Sequence, residues 1–504
     1  MYFGTGFRRR CLGLLLTLVL ALAASLTTTE ARAAGFATAG IGIKARSMGG
    51  AFRGLANDWS AAYYNPAGLA WLHKGELNAT LGTYSPQVTY TPNVTGSGVD
   101  LGFNQANGLE LHPRDDVWPL PSFAVVALPN WRDGLAVGAA VYWPHDVNFG
   151  WDLYRQPAQY NSDFQFQHQN YRTDLDVLDV HPVVATTLGD KLAVGVGLSL
   201  TDGSVVLRRV EFVPNSLGSP FNVYPYDDFA GELLLKGRGF AVGANAGVMW
   251  KASPTLSVGF SFQLPTTIPV SGTGTLDMAW PINPAMADSQ LNIANQQTEE
   301  PLFERTQYLG NYDEVRSTDW HHTAPFDFDL KLPGQVGAGI GWKSSERLTL
   351  AADLAITFWS AVESWDVTFS ESGLRTGTDS VGHPTAITGV AVPFHWKDQI
   401  RLSAGAEYAA TPKVMVRGGM YYDGGAAVDS TFSPNFPDVG GRVGLTAGVA
   451  YLLGESWEFA AAQELAFASG RTVPDQGTAN GVTAFPGDYS LSRFETLFSI
   501  SYRF

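Results

Sequence analysis

The sequence predicts an all-β membrane protein, an antiparallel transmembrane barrel of about 14 strands with a small N-terminal helical hatch inside its lumen. Three observations carry this. Downstream of Leu72, apolar residues recur at every second position in segment after segment, the period of a strand with two unlike faces. The connections between those segments alternate short and long. One compact stretch, Ala34 to Leu72, lacks the alternation altogether.

Residues 1–33 read as a secretory signal peptide. Arg8, Arg9 and Arg10 precede an apolar run from Cys11 to Leu26, and Ala31-Arg32-Ala33 supplies small residues for cleavage. The run is short for a retained anchor helix. Cys11 is the sole cysteine and lies within this leader, so the mature chain has no disulfide. A large exported chain without disulfides needs another means of closure, which a closed strand ladder provides. Removing the leader takes the formal charge from −15 to −18, which argues against nucleic acid as a partner.

The hatch is expected over 34–74. It is rich in Gly, Ala and short turns, and its apolar residues are spaced for short helices. The barrel follows over 75–504. Val336, Ala338, Ile340 and Trp342 alternate with small or polar residues, as do Leu348, Leu350, Ala352, Leu354, Ile356 and Phe358. The same pattern recurs at 192–200, 240–250, 256–262, 400–408, 443–453 and 457–467. Lipid on one face and lumen on the other require this period of two; a soluble sandwich would not need so many Trp and Tyr on its exposed side.

Six short turns are expected, at 130–134, 189–190, 252–255, 344–347, 411–412 and 454–456. Seven long connections separate them, near 93–118, 144–170, 213–228, 272–325, 370–396, 424–440 and 469–489. This is the asymmetry of an outer-membrane barrel, with short turns on one side and long loops on the other. In the last strand Phe494, Phe498, Ile500, Tyr502 and the terminal Phe504 share one face. That apolar edge would aggregate unless it closes on the first strand.

Enzymatic chemistry finds little support. His321-His322 is the one close histidine pair, with no further ligand at a metal-site spacing, and no Gly-x-Ser-x-Gly elbow is present. No catalytic residue, metal or cofactor is expected.

Several motifs together resemble the FadL-type outer-membrane transporters of long-chain fatty acids and other hydrophobic compounds. They are Ala34-Gly35-Phe36, Ser47 to Phe52, Asn57-Asp58, the hatch motif Asn65-Pro66-Ala67, Leu332-Pro333, Asp353 with Trp359-Ser360, Tyr422-Asp423 with Pro437-Asp438, and Ser501 to Phe504. The resemblance spans the mature chain. It implies capture at extracellular loops, an internal pocket, and lateral exit through a gap made by a kinked third strand.

A hydrophobic ligand needs apolar walls with few polar anchors. The expected ligand-binding residues are Phe36, Met48, Phe52, Trp59 and Tyr64 in the hatch, Phe149 and Trp151 in the first long loop after strand three, and Arg208 and Arg238 as partners for a carboxylate. Apolar loop residues Trp280, Ile282, Met286, Leu291 and Ile293 could add to a lid. Where fatty-acid carriers of this family hold a basic residue, however, this chain has Glu363 and Asp366. Long-chain fatty acids are the first expectation and neutral aromatic hydrocarbons or alkanes the alternative; a general porin and an adhesive barrel are the rival functions. The lateral gate is expected at Trp143, Pro144 and Gly150, because Pro144 has no N–H to give its neighbour. Outer-membrane lipid, lipopolysaccharide and, through Phe504, the barrel-assembly machinery are the expected partners.

Overall fold

Fourteen strands close into one antiparallel barrel because each finds its neighbour through a tight turn or a long loop, and the last pairs with the first. The computed structural model describes residues 35–38, 40–94, 103, 106–113, 118–157, 166–213, 229–279, 321–370, 373–378, 384–468, 470–475 and 485–504. The leader, Ala34, and the apolar loop residues Trp280, Ile282, Met286, Leu291 and Ile293 lie outside them.

The strands are β1 (Glu76–Pro92), β2 (Trp118–Ala127), β3 (Leu135–Trp151), β4 (Tyr171–Leu188), β5 (Leu192–Val213) and β6 (Phe229–Ser253). Four interrupted strands follow: β7 (Leu256–Gln263, Thr266–Ala279), β8 (His321–Leu332, Gln335–Lys343), β9 (Leu348–Thr357, Ser364–Phe369) and β10 (Gly389–Pro393, Gln399–Thr411). Then come β11 (Val414–Asp423), β12 (Arg442–Leu453), β13 (Trp457–Ala468, Arg471–Val473) and β14 (Gly487–Arg503). β1 and β14 pair from Glu76↔Arg503 to Pro92↔Gly487, so neither the first nor the last strand is left as a free edge.

Outward positions form an apolar belt. Leu81, Phe123, Val196, Phe240, Phe260, Leu354, Ile400, Val443, Phe467 and Phe498 are all exposed, and each alternates with a side chain turned inward. Above the belt the ladders continue, while the outward residues become polar, as at Ser271, Thr273 and Asp327. This corrects the expected loops. Residues 144–151 and 272–279 are strand, because loss of outward apolar residues ends the contact with lipid and not the hydrogen bonding between strands.

The segment before β1 folds as two short helices, Ile43–Ser47 and Ala61–Tyr64, and a 3-10 helix, Pro66–Trp71. It touches inner faces around the circumference: Arg46 meets Glu464 on β13, Ser47 meets Thr446 on β12, Arg53 meets Ser261 on β7, and Asn65 meets Val248 on β6. Such contacts require it to lie in the lumen. Asn65 organises its last turn. Its Oδ1 accepts from Ala67 N at 3.3 Å, its Nδ2 donates to Arg53 O at 3.0 Å, and Pro66 starts the helix where no N–H is needed.

Candidate functional site: an aromatic chamber beside a break in the wall

The interruptions of β7 to β10 create the chamber. Pro265, Pro333 and Pro393 stand at three of them, and a residue without an N–H stops a ladder. Between its two segments β9 turns inward as a 3-10 turn, Trp359–Ala361, and β10 turns inward over 394–398. These detours carry Trp359, Phe394 and Trp396 into the interior, and Trp365 follows at the start of the upper β9 segment; all four are buried.

Phe36 sits among them. Its ring centroid lies 4.7 Å from Trp359, 5.5 Å from Trp396, 5.5 Å from His145 and 6.4 Å from Trp365. Phe328 and Phe436 extend the cluster, 5.3 and 5.2 Å from Trp365. Edge-on packing dominates, the favoured arrangement for ring quadrupoles. Phe149 and Trp151 belong to the same buried cluster, and Trp151 Nε1 donates to Pro434 O at 3.0 Å.

Above Phe436 opens a cavity of about 180 Å³. Tyr171, Leu207, Val210, Phe212, Val392 and Phe485 give it an apolar wall, while Arg209, Glu211 and Asn435 supply polar groups. Arg209 is already paired with Glu211, and its Nη1 donates to Ala391 O at 3.3 Å. The Asp438 carboxyl ties together the 424–440 loop that supplies Asn435 and Phe436 to the cavity: its Oδ2 accepts from Ala426 N at 2.8 Å and Ala427 N at 2.7 Å. Burial pushes this carboxyl up to about 7 against the pull of those amides, Arg471 and Arg442.

The wall is broken beside the chamber. β2 and β3 share a ladder only from Ala127↔Val137 to Phe123↔Val141. Above that level β2 keeps its pairing with β1 as far as Trp118↔Tyr84, and β3 keeps β4 as far as Trp151↔Tyr171. Among the described residues no pairing joins them there. Against β4, the β3 register passes from Tyr142↔Asp179 to His145↔Val177, so Trp143 and Pro144 stand opposite Leu178 alone, a bulge of one residue. Pro119 and Pro121 on β2 and Pro144 on β3 all lack the N–H a continued ladder would use. The lumenal segment covers the opening from inside. Thr38 N donates to Pro144 O at 3.0 Å, Thr38 Oγ1 donates to Trp143 O at 3.3 Å, and Ala37 bridges His145. A cavity of about 30 Å³ remains between Thr38, Leu120, Pro121, Tyr142 and Trp143.

A second gap separates β8 from β9, whose upper segments pair only at Thr368↔Asp327 and Phe369↔Phe326. Its groove carries Asp327, Asp329, Lys331 and Asp366 on the outer face. Those charges place it above the apolar belt.

Of the residues singled out from sequence, Phe36, Phe149 and Trp151 come together in the chamber. Met48, Phe52, Trp59 and Tyr64 are buried lower down, where they pack the lumenal segment against itself and the wall. Neither arginine faces the interior. Arg238 shares the parity of exposed Phe240, projects outward and pairs with Asp202 at 2.5 Å. Arg208 shares the outward parity of β5, lies under the 166–170 loop with its Nη1 donating to His168 O at 3.3 Å, and is 3.4 Å from Glu232. Strand period alone dictates the Arg238 placement, since a residue an even number of positions from a lipid-facing one faces the same way. At the top of β5 the parity rule ends, because Val210 and Phe212 share the parity of Arg208 and line the cavity. Gly150 stands opposite Arg172 in an intact ladder with β4, above the bulge.

Sequence reasoning did not single out Trp365, Phe394, Trp396, Phe436 or His145 as site residues. The signal available was the Trp/Phe density of 359–396 between prolines. For the wall break it was the Pro-x-Pro of β2.

A sequence model of the family described as outer membrane protein transport protein (OMPP1/FadL/TodX) matches residues 24–504. A comparison with curated protein sequences gives no match. Among solved structures the chain is similar to a Pseudomonas aeruginosa FadL homologue at 18% identity, covering 94% of this chain and 99% of the other, with a TM-score of 0.68. It is also similar to the Ralstonia pickettii toluene transporter TbuX at 18% identity, 92% and 99% coverage and a TM-score of 0.61. For the P. putida toluene transporter TodX the values are 16%, 92%, 99% and 0.63. At these identities the structural likeness speaks to the fold; the family match, over nearly the whole length, speaks to descent. The chain belongs to the family of outer-membrane transport proteins that contains FadL and TodX.

Proposed function

We propose that this protein is a passive channel for hydrophobic small molecules, with no covalent chemistry. Cargo is captured in the cavity under the extracellular loops, passes Phe436 into the aromatic chamber around Phe36, and leaves sideways between β2 and β3. The lumenal segment is a plug that blocks the aqueous path. The observation that carries this reading is continuity: Phe36 packs on the chamber walls, while its neighbours Ala37 and Thr38 bond to β3 at the bulge. Ligand site and wall opening are thus joined by consecutive residues.

Neutral cargo is favoured over fatty acid. A carboxylate needs a free cation, but Arg208 and Arg238 lie outside the chamber and Arg209 is held by Glu211. Fatty acid, which the motif resemblance implies, is the second reading, with Arg209 at the cavity as its contact. Outer-membrane lipid and lipopolysaccharide surround the belt, and the assembly machinery reads the strand ending at Phe504. Titrating the purified protein with toluene and with oleate, beside liposome swelling in sugars, tests the assignment. Tight toluene binding without sugar permeation is expected; sugar permeation without binding supports a porin.

A further inference from the structure

The apolar route from cavity to wall break contains three buried polar atoms without a well-formed hydrogen bond among the described residues: Asn435 Oδ1, Trp365 Nε1 and His145 Nδ1, the His145 ring lying also within reach of the Phe36 backbone. All three residues are at least nine-tenths buried, at 3%, 1% and 7% exposure. Native interiors rarely leave such groups unpaired, so each one calls for an explanation.

Their order along the route is informative. Asn435 lines the 180 Å³ cavity together with Phe436. Phe436 meets Trp365 edge-on at 5.2 Å, Trp365 lies 6.4 Å from Phe36, and Phe36 lies 5.5 Å from His145, which adjoins Pro144 at the bulge. One polar atom thus stands at the mouth, one in the chamber and one beside the opening.

Building on the channel reading above, we infer that the cargo is a neutral hydroxylated hydrophobe, a phenol or an alcohol of about one ring in size. A cavity of about 150 Å³ accommodates benzene, so 180 Å³ suits a single substituted ring. Asn435 Oδ1 accepts, Trp365 Nε1 donates, and a histidine ring nitrogen does either. A hydroxyl has one donor hydrogen and two lone pairs, and so meets all three in turn. A carbonyl compound would meet only donors, and a carboxylate would arrive without a cation. A bare hydrocarbon would meet none of them.

The test is calorimetric titration of the full chain in detergent micelles with toluene and with p-cresol, which differ by one hydroxyl. Wild type should bind p-cresol about tenfold more tightly, the worth of one well-placed hydrogen bond. In Asn435→Leu, Trp365→Phe and His145→Phe the ratio of the two affinities should fall toward one. Equal affinities in wild type, or a p-cresol preference that all three variants retain, would overturn this inference while leaving the channel reading intact. Binding of neither compound would overturn both. The wild-type pair decides by itself if a variant fails to fold.

Discussion

Asp353 on β9 caps the backbone of Arg53 in the lumen: its Oδ2 accepts the Arg53 N–H at 2.7 Å, and the Phe52 N–H at 2.9 Å. A wall carboxylate thereby satisfies a turn that has no helix to supply its partners. Asp353→Ala should leave two amides unsatisfied, at about 1–3 kcal/mol each. The barrel should still migrate as a heat-resistant band, while liposomes carrying the variant swell faster in arabinose. Swelling as slow as wild type would mean that this cap does not hold the plug.

Removing the plug entirely should spare the barrel. Every wall strand is hydrogen-bonded to both of its neighbours over at least part of its length, and Arg493, Glu464, Arg417, Glu407, Arg401 and Asp423 on the inner wall already pair with one another. Water entering the lumen can solvate such a surface. A chain lacking residues 34–72 should fold as a heat-resistant barrel with high ion conductance in planar bilayers. Failure to fold would make the segment a structural core instead.

Phe36 should carry much of the ligand affinity. Phe36→Ala removes the ring that meets Trp359, Trp365, Trp396 and His145. Affinity for toluene, measured by calorimetry, should weaken by about 1–3 kcal/mol, the worth of burying such a side chain. Unchanged affinity would move the pocket elsewhere.

The 424–440 loop at the cavity should loosen as pH rises. The Asp438 carboxyl is raised from 3.8 to about 7 by burial, so its contribution to loop stability is fully present below about pH 4 and is lost as pH rises through 7. The protection factors of the Ala426 and Ala427 amides, each measured against intrinsic exchange at the same pH, should be higher at pH 6 than at pH 8. Asp438→Asn keeps an acceptor for both amides and should level the difference. Equal protection of the wild type at both pH values would contradict the assignment.

How far the fold was legible follows from what sets it. Strand alternation and turn length are local properties, so the six tight turns and the β1–β14 closure could be read from residues such as Phe498 and Ile500. Strand ends above the belt could not, because Thr273 and Thr275 extend a ladder without facing lipid. Phe36 was legible as an aromatic beside Gly35. Its partners Trp359 and Trp396 were not, because they reach it only through interruptions of β9 and β10, far along the chain. Arg238 was legible in principle: counting two positions back from Phe240 places it outside.

The most direct test of lateral release is to mend the wall. Pro144 is the extra residue of the β3 bulge, so deleting it brings Trp143 opposite Leu178 and keeps His145, Val147, Phe149 and Trp151 facing inward. Combined with Pro119→Val and Pro121→Val, the deletion returns the missing N–H donors to β2 and lets the β2–β3 ladder run upward past Phe123. Cells or proteoliposomes bearing this triple variant should show heat-resistant, surface-exposed barrel and undiminished cargo binding, with uptake of radiolabelled toluene and p-cresol reduced to background. Uptake at the wild-type rate through the mended wall would contradict lateral release and place the exit at the periplasmic end of the barrel.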